Sequence, residues 1–282
     1  MKPHNANSAL VLAVLIVIAS TLVAQDVSRA IGKFSGTWQQ NEAKSKFGSN
    51  LDLRFRLNAK GEMEELRGPE SRPIVEPVIF DGKTYPIDGA NMIEWKQIDS
   101  HNFERKIFDA RTSPGKRGRL ITTRKLQLSP DGKTVTEETE RMLTDGKASL
   151  TTITYTRSYG DPQGLVGIWK LSTLHSNRPP VLKLEPAGNN ALKVSDDRDI
   201  TYTLTFDGKD AQIVGPDVVS KFTASGKQVD NHTIEVTQSR EGVISNKSSW
   251  ELSPDGKTMT VTTTWMGPNV SPEPTLEVYE KQ

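Results

Sequence analysis

The chain has 282 residues, enough for two ordinary domains or one large one. Hydrophobic residues make up 34% and charged residues 25%, the balance of folded material rather than of a disordered chain. A formal net charge of +1 gives no global field toward nucleic acid or anionic lipid, and the absence of cysteine excludes disulfides, thiol catalysis and cysteine-bound zinc.

The first 24 residues read as an export signal. Lys2 precedes an apolar run from Ala9 to Ala19, and Ala24 offers a cleavage site with the bulky Leu22 two positions before it. Cleavage places the mature chain in a secreted or periplasmic location, with no stable membrane insertion afterwards. The rival reading is a retained anchor, although the apolar stretch falls short of the ~20 residues a spanning helix needs. A lipoprotein anchor is excluded, because no cysteine stands near the site.

Beyond it, strand signals follow one another. Gly36-Thr37-Trp38 opens a first strand, and a short helical turn is expected around Asn41 to Lys44. Leu51 to Leu57 alternates apolar and polar residues, so Leu51, Leu53, Phe55 and Leu57 share one face. "NAKGE" (Asn58 to Glu62), "FDGK" (Phe80 to Lys83), "SPDGKT" (Ser129 to Thr134) and "LTDGK" (Leu143 to Lys147) read as hairpin turns, since Asp-Gly and Asn-rich steps tolerate the positive φ of a tight reversal. "SYGDPQG", Ser158 to Gly164, reads as a link between units.

The signals then recur in the same order. Gly167-Ile168-Trp169 repeats Gly36-Thr37-Trp38, "FDGK" returns at Phe206 to Lys209, and "LSPDGKT" at Leu128 returns at Leu252. Tyr155 and Arg157 are echoed by Tyr279 and Lys281. "TASGK" (Thr223 to Lys227) reads as a further turn. Alternation at Ile200 to Phe206 and Met259 to Trp265 again marks strands, rich in β-branched threonine. Several landmarks in one order make an internal duplication of two units of about 125 residues, each with its own core. The predicted domains are 31–160 and 164–282, all-β, with eight to ten strands each. Sequential hairpins favour up-and-down antiparallel barrels, whose closure removes exposed edges.

The Gly-x-Trp openings and the late basic residue resemble the lipocalin and fatty-acid-binding superfamily, whose members pack a basic side chain near the final strand over that tryptophan. The resemblance implies that Arg157, and more loosely Lys281, is such a partner, although lysine lacks the planar guanidinium that stacks on an indole. "GTWQQNEAKSKF", "FDGKTYPIDG", "LSPDGKTVT" and the closing "VYEKQ" are similar to a family of small secreted bacterial domains described as lipocalin-like (calycin-type), of uncharacterised function. That likeness implies two tandem lipocalin-like antiparallel β-barrels and an exported location. It implies no catalytic residues.

For function, the leading expectation is a non-enzymatic protein binding a small hydrophobic ligand in one or both barrels. The alternative is a structural or protein-interaction module of the cell envelope, with side-chain-filled barrels and an envelope protein partner. Leu53, Phe55, Tyr202, Leu204 and Trp265 either line a site or fill a core; Trp38 and Trp169 read as structural. No catalytic, cofactor-binding or metal residue is expected. His101, His175 and His232 fall in polar segments without metal spacing, Asp131 and Asp255 stand nearly alone, and no Gly-x-Ser-x-Gly elbow occurs. Glu64-Glu65 and Asp196-Asp197 read as solvated pairs, because neighbours on a strand face opposite ways. The sequons at Asn231 and Asn246 are not expected to be used.

Charge divides unevenly: 22 Lys+Arg against 18 Asp+Glu over 31–160, and 12 against 16 over 161–282. A basic cluster, Arg111, Lys116, Arg117, Arg119, Arg124 and Lys125, reads as a solvated face. It lacks the interleaved aromatic platforms of a nucleic-acid site, so no nucleic-acid partner is expected.

Overall fold

The computed structural model describes residues 31–48, 51–67, 74–86, 91–109, 118–143, 145–188, 190–215, 218, 221–266 and 274–282. The expected signal segment lies outside them. Residues 31–34 are helical and lead into strand β1, Gly36–Gln40. A 3₁₀ turn, Glu42–Lys44, follows, its first turn capped by Asn41, whose side chain accepts the Lys44 N–H at 3.2 Å.

Strands then succeed one another: β2 Leu53–Leu57, β3 Met63–Arg67, β4 Ile74–Pro77, β5 Asp81–Pro86, β6 Asn91–Gln97, β7 Asn102–Asp109, β8 Leu120–Leu128, β9 Thr134–Met142, β10 Ala148–Tyr159 and β11 Gly167–Ser176. The second series is β12 Val181–Pro186, β13 Ala191–Asp196, β14 Thr201–Thr205, β15 Ala211–Gln212, β16 Phe222–Gln228, β17 Thr233–Arg240, β18 Val243–Leu252, β19 Thr258–Trp265 and β20 Thr275–Lys281. They form two ten-stranded antiparallel sheets.

One sheet runs β4-β3-β2-β11-β10-β9-β8-β7-β6-β5. Its edge strands β4 and β5 share no ladder, so it is an open half-barrel rather than the closed one expected. Both edges carry a proline, Pro77 and Pro86, which cannot donate to an incoming strand. The other sheet runs β14-β13-β12-β1-β20-β19-β18-β17-β16-β15. Its edges meet in a bridge, Thr201 to Val214, whose reciprocal N–H to carbonyl bonds measure 2.8 and 2.9 Å. This barrel is nearly closed.

The opening strands are exchanged. β1 lies between β12 and β20, and β11 lies between β2 and β10. The sheets therefore do not coincide with 31–160 and 164–282. The first barrel is the contiguous run Leu53–Ser176, and the second takes 36–40 together with 181–281. The cause lies in the stretch expected to be a link. Gly160 and Gly164 both have positive φ, 116° and 86°, and reverse the chain within a few residues. β11 thus meets the nearest free edge, that of β10, and pairs there. The corresponding gap between β12 and β20 is filled by β1.

Two separate cores result, each closed by the other unit's tryptophan. Trp169 packs with Leu53, Phe55, Trp95, Phe103, Leu126 and Tyr155, and Trp38 packs with Leu184, Leu204, Ile234, Trp250, Met259 and Tyr279. Both indoles are fully buried, at 0% exposure. Each donates its N–H to the carbonyl four residues earlier, Trp38 to Phe34 at 2.8 Å and Trp169 to Leu165 at 2.9 Å.

The paired hexapeptides form one turn twice. Ser129 Oγ donates to Asp131 Oδ1 at 2.7 Å and accepts from the Thr134 N–H at 3.0 Å; Ser253 does the same with Asp255 at 2.6 Å and Thr258 at 3.0 Å. Gly132 and Gly256 sit at φ 68° and 67°. At Gly132 a Cβ would lie 2.0 Å from the Pro162 carbonyl oxygen, so only glycine fits there. Two expected turns are otherwise. "TASGK" lies within β16, where Gly226 lets the Leu204 side chain and Phe206 ring approach the strand backbone. The first "FDGK" runs straight into β5.

Candidate functional site

The second barrel holds a cavity of about 580 Å³. Its walls follow from strand alternation. β18 turns Asn246, Ser248 and Trp250 inward, β19 turns Val261, Thr263 and Trp265, and β20 turns Thr275, Glu277 and Tyr279. Leu182, Val194, Ile213 and Phe222 extend the apolar lining, and Phe47 and Leu51, from the segment after β1, complete it.

Polar groups gather at one side. The Asp196 carboxylate receives the Arg198 guanidinium through Nε at 2.8 Å and Nη2 at 2.6 Å, both on Oδ2. Asp196 Oδ1 accepts the backbone N–H groups of Arg198 and Ile200 at 2.9 and 3.0 Å. This tight turn also holds Asp199 at φ 62°, unusual for a side chain-bearing residue. Burial acts to lower the Arg198 pKa, but the Asp196 charge and hydrogen bonds, joined by Asp197 and Tyr279, together carry the net direction upward. Arg198 keeps 48% of its side chain exposed although it borders the cavity.

Glu277 accepts from Gln40 Nε2 at 2.7 Å and from the Tyr279 hydroxyl at 3.4 Å. Burial pushes its carboxyl above the ordinary value, against those hydrogen bonds and the more distant Arg198 charge. Burial likewise raises Tyr202 and Tyr279, the latter further by the Glu277 charge. Burial and then the Asp196 charge raise Asp197. Gln238 accepts from Asn246 Nδ2 at 3.0 Å, and Trp250 Nε1 donates to Ser248 Oγ at 3.2 Å. The buried Trp265 indole N–H has no hydrogen-bond acceptor among the described residues.

At the same level the first barrel is filled by charge. Arg124 donates to Glu65 and to Glu137, both at 2.6 Å, Arg105 pairs with Glu76, and Arg105 Nε lies 3.9 Å from Glu65. The Tyr155 hydroxyl donates to Glu137 at 3.3 Å. Burial acts to lower the Arg124 pKa, yet Glu137 and Glu65 drive it upward overall.

The strand registers superimpose the two interiors. Arg105 pairs with Arg124 across β7–β8, as Val236 pairs with Ser248 across β17–β18. Leu126 pairs with Glu137, as Trp250 pairs with Val261. Phe55 pairs with Glu65, as Leu184 pairs with Val194. The layer Glu65, Arg105, Arg124, Glu137 therefore corresponds to Val194, Val236, Ser248, Val261. Long charged side chains meet across one barrel, and shorter ones leave space in the other.

Of the residues singled out from sequence, Tyr202 and Trp265 line the cavity, whereas Leu53, Phe55 and Leu204 belong to the cores. Glu65 and Asp196 are not solvated: Glu65 is fully buried and the Asp196 side chain nearly so. Strand alternation on β3 turns Glu65 inward, whereas Asp196 ends β13 and Asp197 begins the turn after it. Arg124 leaves the basic cluster for the buried layer; Arg119 and Lys125 are exposed, and Arg111, Lys116 and Arg117 lie outside the described residues. Asn246 is buried against the cavity, out of reach of a glycosylating enzyme.

The histidines stay apart. The His101 backbone N–H donates to Asp99 Oδ1 at 2.7 Å, His175 lies 3.6 Å from Glu42, and His232 meets Lys33 at 3.1 Å. Among the described residues, no group of three or more His, Asp or Glu gathers as a metal site would require. Sequence reasoning missed Arg198 and Glu277. The only signal available was polar residues at inward positions of apolar strands, as in the Thr275, Glu277, Tyr279 series. The chain matches no protein-family model and no curated relative.

Proposed function

We propose that the chain is an exported, non-enzymatic binding protein of lipocalin-like build, taking one small molecule in its second barrel. The single observation that carries this reading is the cavity of about 580 Å³, within the range of small-molecule sites. Its apolar walls with a few convergent polar groups suit a ligand with an apolar body and one polar end. The first barrel serves as a filled structural partner, its interior occupied at the same level by the Glu65, Arg105, Arg124 and Glu137 layer. Export is supported by the Lys2 and Ala9 to Ala19 pattern of the first 24 residues.

Native mass spectrometry of protein purified from its own host tests the reading. A co-purified small molecule is expected with wild type and is lost with Ser248→Phe, which fills the cavity. Wild type that carries nothing and binds no apolar probe would remove the proposal.

A further inference from the structure

We infer that the polar end of the molecule held in this cavity is a protonated amine rather than a carboxylate. The inference rests on the binding reading above and sharpens it. Two carboxyl groups and one guanidinium border the cavity, Asp196, Glu277 and Arg198, beside the phenols of Tyr202 and Tyr279. Arg198 looks like an anion receptor, but its guanidinium is already engaged. Two of its N–H groups sit on Asp196 Oδ2, at 2.8 and 2.6 Å. A neutralised pair offers little net field to a second carboxylate. Asp197, on the same turn, adds a further acidic group.

Glu277 is the group left over. Its close partners are the neutral Gln40 amide and Tyr279 hydroxyl, and it forms no ion pair among the described residues. From the facing β19, Val261 stands opposite it and Thr263 lies beside, neither charged. Arg198 acts on it only at longer range. A desolvated carboxylate without a cation gains most from a ligand that brings one. The walls point the same way. Trp250, Trp265, Tyr202 and Phe222 border the space, and aromatic faces attract organic cations. An ammonium group at Glu277, with an apolar tail toward Val194 and Val261, uses both features.

Calorimetric titration of the whole protein at neutral pH with three near-isosteric probes tests this: phenylbutylamine, phenylbutanol and phenylbutyrate. The amine is expected to bind roughly ten-fold or more tightly than the alcohol, the increment of a charge-assisted hydrogen bond, with the acid weakest. Glu277→Gln is expected to remove the amine's advantage over the alcohol, with a cooperative urea transition of the variant as the control for folding. If the acid binds as tightly as the amine, or if Glu277→Gln leaves the amine's advantage intact, the amine inference is overturned and the binding reading stands. If none of the three binds, both fall together.

Discussion

The Arg157 guanidinium carbon lies 3.8 Å from the centroid of the Trp169 ring. Duplication alone would have put it over Trp38, the tryptophan of its own repeat. Trp38 instead receives Lys281, whose Nζ is 5.1 Å from the ring centroid. Both basic residues pair directly with the tryptophan they cover, Arg157 with Trp169 and Lys281 with Trp38. The motif is therefore conserved in geometry between the two barrels and exchanged in connectivity.

The exchange sets which fragment can stand alone. Residues 51–178 contain all ten strands of the first sheet and its core tryptophan. Residues 31–160 lack β11 and leave β2 and β10 unpaired at their facing edges. The first fragment is expected to unfold cooperatively in urea. The second is expected to give no sigmoidal transition, or to aggregate. Equal cooperativity of the two would contradict the strand order.

The two basic covers differ in strength. Arg157 stacks on the indole and donates to three carbonyls, Gly132 at 2.7 Å, Val166 at 3.0 Å and Gly164 at 2.7 Å. Arg157→Ala is expected to destabilise by about 2–3 kcal/mol, combining the stacking with the lost donors. Arg157→Lys recovers less than half of this, because one ammonium cannot hold three divergent carbonyls. Lys281→Ala is expected to cost under about 1 kcal/mol, its contact being longer and more exposed. Chemical denaturation of the three variants checks the order.

The ionic layer should behave as a unit. Arg124→Ala strands Glu65 and Glu137 in the interior, and is expected to cost about 3–5 kcal/mol. Glu76 pairs with Glu65 as Tyr202 pairs with Val194, so converting Glu65, Arg105, Arg124, Glu137 and Glu76 together to their second-barrel counterparts, Val, Val, Ser, Val and Tyr, removes the charges at once. That variant is expected to be more stable than Arg124→Ala and to bind an apolar dye in the first barrel as well. Denaturation midpoints and dye stoichiometry read both outcomes.

Glu277 makes stability depend on pH. Burial raises its folded-state pKa above the ordinary 4.5. Its contribution to folding is therefore fully present below 4.5 and lost as pH rises through the raised value. Glu277→Gln keeps the acceptor for Gln40 and removes the ionisation. The ligand-free variant is expected to melt higher than wild type at neutral pH, with the difference vanishing in acid. Melting scans across that window give the answer.

The fold was largely legible because its signals are local. Asp-Gly turns, alternation at Leu53 to Leu57 and the paired "SPDGKT" each act over a few residues. The partnership of Trp38 was not legible, because two equivalent gaps exist and pattern cannot say which strand fills which. The choice was made by the short reversal at Gly160 to Gly164, which composition alone presents as a link. The cavity was half legible. Tyr202 and Trp265 lie on plainly alternating strands, whereas Arg198 enters by way of a turn. Arg124 reads as one more surface base until the register places it opposite Arg105.

The pairing of β1 with β20 has a temporal consequence. Trp38 leaves the ribosome well before Lys281, its neighbour across the ladder. At roughly 5–20 residues per second, some 240 intervening residues take about 12–50 s to appear. Through that interval β1 can gain β12 on one side but stays unpaired on its β20 side, although the whole of the contiguous barrel can fold behind it. A message cut short between β11 and β20 yields all the strands of the first sheet and an unsealed second one. The cavity of the second barrel is thereby walled in only once β20 has followed β19.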